Sequence, residues 1–549
     1  MSMTHLPRIE SEVYKGLLKN GFYAKSRPLI DLVLNELEYG MNVVQLPTGY
    51  GKTAFPVVCG LASLYNTDNY LRSLHILPLR SIIEDAHETT LKNLKKLGFE
   101  RAESYVAAQM MGVAGSPFLN KKLVFVTFET FLLHLIKIPP AEMEKILCPS
   151  LYSLSSGWKT YGHFEIGRGA VFESFVFIDE PQLLIERKDL NSSHLPSVLH
   201  GLTKLKIPVM LITATMSKKL REAARHAACE SKIPYKEFVY GENLIDKDYE
   251  SIVRNKKINT SMVKQSMADF VIEKLKECRW NRVLVVVNTV ENAKKVYSLI
   301  GSENTCLLHG RMTRRDRLQT LEKLRNERWL LVATQVVEAG VNLSAQLLIT
   351  EAAPASSLVQ RAGRVARRDE DDEGEIVIVK DDSFGPYSKD MVQSTVEKLE
   401  KALEEGGVEW RLPHVDRGIG YTTLVDSVHV DPLPPPNNLL VNQIINPLAI
   451  PSQASDFIDD DMVMVYVAAD VNDLSAENHY TTALSQLVKR HPNAKAIKMD
   501  DNGDVKTIDK TAKEYACMSR PRLRLLCDSV YGFIIPEEDY LFDAYGLRA

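Results

Sequence analysis

Ten short apolar runs in two groups of five constrain this 549-residue chain more than any other feature of it. NVVQL, SLHILP, LVFVTF, FVFIDE and VMLITAT lie between roughly Asn42 and Thr213; RVLVVVN, TCLLHG, WLLVATQ, AQLLIT and EIVIVK form the second group, ending near Lys380. Each is rich in Val, Ile, Leu or Phe and closes on polar or turn residues. Runs this continuous suit strands covered on both faces of a parallel sheet, with the helix-like stretches between them as crossovers. The pattern pauses in the charged stretch Ser217–Lys257 and then restarts. The fold class predicted is therefore α/β, with two successive parallel-sheet units. Pro432–Asn438 (PLPPPNN) reads as a semi-rigid hinge. A strand-like MVMVYVAAD, a helical LSAENHYTTALSQLVKRH and a Tyr-containing tail follow it as a smaller third domain. The expected units are residues 1–235, 236–400 and 401–549.

This length exceeds what one hydrophobic core organises. With 45% hydrophobic and 25% charged residues, the composition is that of a globular protein. Lys plus Arg number 67 against 71 for Asp plus Glu, a net charge of −4, which excludes a histone-like polycation but not a local basic groove. The seven cysteines include no CxxC pair and read as reduced intracellular thiols rather than zinc ligands. There is no signal-peptide-like apolar segment at the N-terminus and no membrane-spanning run, so the expectation is a soluble, cytoplasmic protein with no membrane partner.

Chemistry concentrates at the ends of the apolar runs. Pro47-Thr48-Gly49-Tyr50-Gly51-Lys52-Thr53 stands between a strand and a helix, where successive N–H groups cradle phosphate. Lys52 would reach the β and γ phosphates and Thr53 would bind magnesium, although Leu46 replaces the first glycine of the usual phosphate-loop pattern. Taken alone, the segment also fits a helix-capping turn. Asp179 and Glu180 close the run FVFI, with Gln182 two residues on. A carboxylate pair at a buried strand's C-terminal end faces ligand: Asp179 for magnesium, Glu180 to activate water. Thr213 and Thr215 close VMLI as candidates for coupling the nucleotide site to its neighbour. Gln360-Arg361-Ala362-Gly363-Arg364-Val365-Ala366-Arg367 spaces three arginines three residues apart, which on one helix would largely share a face. Arg364 and Arg367 are candidate arginine fingers, with Gln360 beside them. The order of these motifs describes a nucleotide clamped between two α/β units, an ATPase.

The set resembles the superfamily 2 helicases, whose fold is a pair of RecA-like domains, over about residues 20–400. LPTGYGKT, HILPLRSIIED, VTFETFLLHL, GAVFESFVFIDEPQLL, ATQVVEAGVNLS and EAAPASSLVQRAGRVARR resemble more specifically the helicase subunit of type I CRISPR interference, the Cas-three family. The resemblance implies ATP and magnesium as cofactors and translocation along single-stranded DNA, three-prime to five-prime, on the strand displaced by a guide RNA. It places Pro78, Arg80 and Thr127 on the nucleic-acid track of the first domain, and Asn288, Thr289, His309, Arg311, Thr334 and Gln335 on that of the second. Gly340 and Asn342 fall at its nucleotide-contacting positions.

The departures are specific. Gln182 replaces the usual His of the carboxylate motif, Asn342 replaces a frequent Asp, and no adenine-reading Gln follows Arg27-Pro28. None of the 13 histidines precedes an Asp, so the family's His-Asp (HD) nuclease motif is absent, and the resemblance then implies a separate HD nuclease subunit and a guide-RNA surveillance complex as partners. An RNA or DNA-repair helicase and a nucleotide-gated switch without translocation are the competing readings. Asp369–Glu373 is expected as a solvated loop, Arg520, Arg522 and Arg524 as a solvated face, and Trp158, Trp280, Trp329 and Trp410 as core or interface residues. Tyr50 is expected to cover the nucleotide. The C-terminal region reads equally as a lid over the DNA and as a docking platform.

Overall fold

The computed structural model describes residues 8–546 except 66–67, 112, 144–145, 147–162, 187–191, 277–278, 302–303, 339–340, 342, 369, 382–383, 430–431, 447–448, 450–461, 476, 500–503, 519–524, 526–527 and 529. Gly340, Asn342, Trp158 and the three arginines of SRPRLRLL lie outside the described residues.

The first sheet has eight strands: β1 (Met41–Gln45), β2 (Arg72–Leu77), β3 (Val106–Met110), β4 (Val113–Ala114), β5 (Leu123–Thr127), β6 (Ser174–Asp179), β7 (Val209–Thr213) and β8 (Tyr235–Val239). Their order is β4-β3-β5-β2-β6-β7-β1-β8, parallel throughout except for the β3–β4 pair. The second sheet is wholly parallel: β9 (Lys257–Val263), β10 (Arg282–Val286), β11 (Thr305–Leu308), β12 (Trp329–Ala333), β13 (Leu347–Glu351) and β14 (Glu373–Val379), in the order β11-β12-β10-β13-β14-β9. All ten anticipated runs are strands. The central ones are buried along their whole length, because helices cover both faces.

The strands that the apolar pattern missed lie away from the sheet centres. In β8 only Phe238 and Val239 are buried, and β9 (KINTSMV) alternates between exposed and half-buried residues. Each is an edge strand with a wet side, so its sequence is too polar to stand out. The first sheet therefore takes Tyr235–Val239 from beyond residue 235. Likewise, the second domain's core includes Trp410, Tyr421, Leu424 and Val425, beyond residue 400.

After the hinge, helix Asn438–Ile445 returns to the first domain and buries Leu440 and Ile444 among Leu195, Leu199 and Leu202. A five-stranded mixed sheet follows, in the order His479–Ala483, Met462–Val467, Val530–Ile535, Lys495–Met499, Val505–Thr511. The stretch expected to be helical from Leu474 to His491 is instead half strand. His479–Ala483 pairs antiparallel with Met462–Val467, and only Leu484–Arg490 is helix. Tyr and two Thr favour the pleated, half-buried position.

This domain touches both others. Met464, Tyr466 and Ile497 pack with Met111 of the first domain. Helix Glu537–Tyr545 docks on the second, where the Thr313 N–H donates to the Tyr540 hydroxyl at 2.9 Å. Among the described residues, no helix is long and apolar enough to cross a membrane.

Candidate active site

The strand order sorts the candidate residues. In the first sheet, β1, β7 and β6 are adjacent, and their C-terminal ends carry the phosphate loop, Thr213 and Asp179; the ends of β2 and β5 carry Pro78 and Thr127. In the second sheet, Arg361 and Arg364 follow β13, whereas Asn288, Thr334 and His309 follow β10, β12 and β11. The nucleotide candidates and the nucleic-acid candidates thus occupy different stretches of the same sheet edges.

The loop at the end of β1 holds Gly49 at φ +77° and Gly51 at φ +100°, a left-handed backbone that disfavours side chains. Lys52 Nζ donates to the carbonyls of Leu46 and Pro47, both at 3.1 Å, holding its ammonium within the loop. Burial pulls its pKa below the ordinary value, against the attraction of Glu180 and Asp179. Thr53 is exposed and makes no capping bond, so its hydroxyl remains available for a cation.

Tyr50 differs from the expectation of a ring over the nucleotide. It is fully buried, its hydroxyl donates to Asp246 at 2.5 Å, and its ring meets Tyr249 edge-on at 5.4 Å. The side chain anchors the loop from below, because a phenol turned inward needs the acceptor that Asp246 supplies.

The carboxylate pair is tightly organised. Glu180 has φ +48°, an uncommon conformation for a residue other than glycine, and its N–H donates to Ile212 O at 2.8 Å. Its Oε2 accepts from the Thr213 hydroxyl and from Gln182 Nε2 at 2.8 Å. Gln182 Nε2 also donates to Thr215 Oγ1 at 2.8 Å. Gln182 therefore links Glu180 to Thr215 of the TAT segment without a titrating group, and Thr213 bonds Glu180 directly. Burial raises the Glu180 pKa, opposed chiefly by Lys52. Asp179 Oδ2 is 3.2 Å from Nε2 of the buried His75 on β2.

The three arginines do not share a helix face. Helix Ala355–Ala362 ends before Gly363, and the chain is then drawn into the sheet edge: Ala345 N donates to Arg364 O and Ala366 N to Ala345 O, both at 2.8 Å. Ala366 turns at φ +46°. Consequently each arginine points somewhere different. Arg361 is fully buried inside its own domain, paired with Glu338 at 2.8 Å and bonded to Thr350, Asn288 and Tyr387. Arg364 is held by the carbonyls of Val337 (3.0 Å) and Glu338 (2.6 Å); burial and the Arg367 charge pull it down to about 9, against Glu180 and Glu338. Arg367 reaches the other domain. A methyl group on Gly49 would lie 3.3 Å from its Nε.

Gly363 permits this approach. A Cβ there would stand 2.5 Å from Thr48 Oγ1, so a side chain would push the second domain off the phosphate loop. At this cleft, Nη1 of Arg367 and Nε2 of Gln360 are buried donors with no hydrogen-bond partner among the described residues. Orphaned buried donors are costly unless a ligand satisfies them. A polyanionic nucleotide fits these donors together with the loop and Lys52. Thr53 and Asp179 supply the hydroxyl and carboxylate oxygens that magnesium takes. Arg411, which no motif signalled, donates to Ala366 O at 2.7 Å and adds positive charge beside Arg367.

The nucleic-acid candidates are less uniform than the motifs suggested. Thr127 caps helix Phe128–Leu135, Asn288 binds Arg361 and Ala352, and Thr334 is buried. His309 is fully buried; its Nε2 donates to Ala544 O at 2.7 Å, and burial lowers its pKa to about 4. These side chains brace strand ends rather than line a surface. Pro78, Arg80, Thr289, Arg311 and Gln335 are partly exposed, with Arg311 paired to Glu291 at 2.7 Å. The expected solvated acidic loop also turns partly inward: Asp371 is buried against Arg282 and Ser344, whereas Glu370, Asp372 and Glu373 are exposed.

Two largely parallel sheets carry a phosphate loop on one and arginines on the other, and residues 29–223 match the DEAD/DEAH box helicase family. Residues 279–370 match the C-terminal part of the CRISPR-associated nuclease/helicase Cas3. The chain is 25% identical over 381 residues to the CRISPR-associated helicase Cas3 of Thermoproteus tenax, covering 67% of this chain and 60% of that protein. The crystal structure of T. fusca Cas3 with ATP superposes with a TM-score of 0.58 at 14% identity, covering 97% of this chain and 69% of that one. A component of a CRISPR RNA-guided surveillance complex in its pre-nicking state gives a TM-score of 0.56 at 16% identity, over 91% of this chain and 70% of that one. In sequence the chain is similar to CRISPR-associated Cas3 helicases, and it spans less than two thirds of the length of these curated relatives.

Proposed function

We propose that this chain is an ATP-driven translocase on single-stranded DNA, moving three-prime to five-prime in type I CRISPR interference. One observation carries the reading: arginines of the second domain reach the phosphate loop and the Glu180 network of the first. ATP bound in such a cleft draws both domains together, and hydrolysis with product release lets them separate, which is the cycle a two-domain motor needs.

The chain's own groups divide the chemistry. Lys52 and the loop N–H groups hold the β and γ phosphates. Glu180, whose pKa burial raises, takes the proton of the attacking water. Arg364 and Arg367 stabilise the charge that develops on the transferred phosphoryl group. Gln182 passes the state of Glu180 to Thr215. Thr53 and Asp179 would hold magnesium, which would supply charge neutralisation to the phosphates when bound.

The C-terminal domain bridges both sheets near the strand ends that carry the track, through Met111 and through His309–Ala544. That position supports a lid over DNA more than a remote docking platform. A separate HD nuclease subunit and a guide-RNA surveillance complex are the proposed partners. The likeness to a protein of a surveillance complex supports the second of these.

The test is steady-state ATP hydrolysis without nucleic acid, with single-stranded DNA and with matched RNA, using Lys52→Ala as the blank. Stimulation by DNA over RNA is the expected outcome. RNA preference would transfer the chain to the RNA helicases, and ATP binding without turnover under any condition would make it a switch.

A further inference from the structure

His75 lies on β2 in register with Phe177 of β6 and Phe125 of β5. In parallel strands, registered residues and those two positions on share a face, so Asp179, two past Phe177, stands on the same face as His75. The imidazole is wholly buried, its ring centroid 5.5 Å from that of Phe125. In this apolar wall its Nε2 lies 3.2 Å from Asp179 Oδ2, and its Nδ1 has no partner among the described residues.

The tautomer follows from the partners. A carboxylate oxygen accepts, so Nε2 carries the proton shared with Oδ2. An imidazole buried here at the cost of an unsatisfied nitrogen is hard to explain by packing, which a leucine would serve better. Its one bond is to the carboxylate at the site's strand end, and it engages Oδ2 alone.

From this we propose that His75 is a positioning residue for the magnesium-holding carboxylate: its Nε2–H fixes the orientation of Asp179. Outer partners of this kind tune metal affinity by holding the ligand's rotamer and charge in place. The inference rests on the nucleotide-site reading above.

The experiment uses the full chain with His75→Leu, which removes the donor, and His75→Gln, which returns an N–H donor at similar reach. Magnesium is titrated against two readouts: the ADP-dependent rise in melting temperature and the rate of ATP hydrolysis. His75→Leu is expected to raise the magnesium concentration needed for half-effect about tenfold, with nucleotide binding in EDTA unchanged, and His75→Gln to restore most of that loss. Should the Leu variant fail to fold, His75→Phe keeps a ring without a donor and carries the same expectation. An unchanged magnesium requirement in a folded donor-less variant overturns the proposal, as does a Gln variant no better than Leu. A wild-type protein whose nucleotide binding ignores magnesium would overturn the site reading itself, an outcome separate from the other two.

Discussion

The hydroxyl of Ser356, in the second domain, donates a 2.5 Å hydrogen bond to Glu186 Oε2 in the first, and both side chains are buried in the cleft between the sheets. Glu186 ends the short helix that follows the carboxylate motif, and Ser356 precedes Gln360 by one helical turn. The two halves of the site are therefore joined beside the reacting groups as well as across the phosphate loop.

Glu186 makes closure of that cleft depend on pH. Burial lifts its pKa from the ordinary 4.5 to about 8, with Glu338 and Glu180 adding to the rise and the Ser356 bond opposing it; neutral His429 lies 3.4 Å away. Between these two values the closed form holds a proton that an exposed Glu186 would release. Closure is thus fully favoured below about 4.5, weakens as pH rises through the window, and levels off above about 8. Glu186→Gln should flatten this dependence. Melting temperatures of both proteins across the window check it, and parallel profiles would refute the assignment.

Glu180→Gln should bind ATP with near-normal affinity while turnover falls by about 10²-fold or more, since only the proton acceptor is lost. Nucleotide binding measured by fluorescence alongside phosphate release separates the two. The Gln side chain still accepts from Thr213, so the fold should be unaffected.

Arg361 and Arg367 should fail in opposite ways. Arg361→Ala leaves Glu338 buried without its cation, at a cost of roughly 3–5 kcal/mol in stability. Arg367→Ala leaves stability close to wild type but lowers turnover by about 10³-fold, because its Nη1 has no protein partner to lose. Thermal melts and kcat on the same samples distinguish a structural arginine from a catalytic one.

Gly363→Ala tests the close approach of the domains. Its backbone, at φ −61°, accepts alanine without strain, so the second domain should be as stable as before. The added methyl meets Thr48 Oγ1 at 2.5 Å and should lower ATP turnover on the order of tenfold to a hundredfold by holding the arginines off. Thr48→Ala in the same chain should recover part of the loss.

The sequence by itself determined the two sheets, because a parallel strand buried on both faces must be apolar throughout and so announces itself. It also determined the phosphate loop, Asp179 and Glu180, whose chemistry depends on residue type at a strand end. What it left out depends on distance between segments far apart in the chain. The edge strands Tyr235–Val239 and Lys257–Val263 have an open side and carry no apolar signature. The three-residue spacing of Arg361, Arg364 and Arg367 promised a shared helix face; only the chain's departure after Gly363 into the edge beside Ala345 sends one inward, one to the cleft and one to the loop. The quoted motifs contain His75 and Ser356 yet gave neither of them, nor Glu186, a role, since such a polar residue gains its meaning only from the carboxylate or hydroxyl that another strand or domain brings beside it.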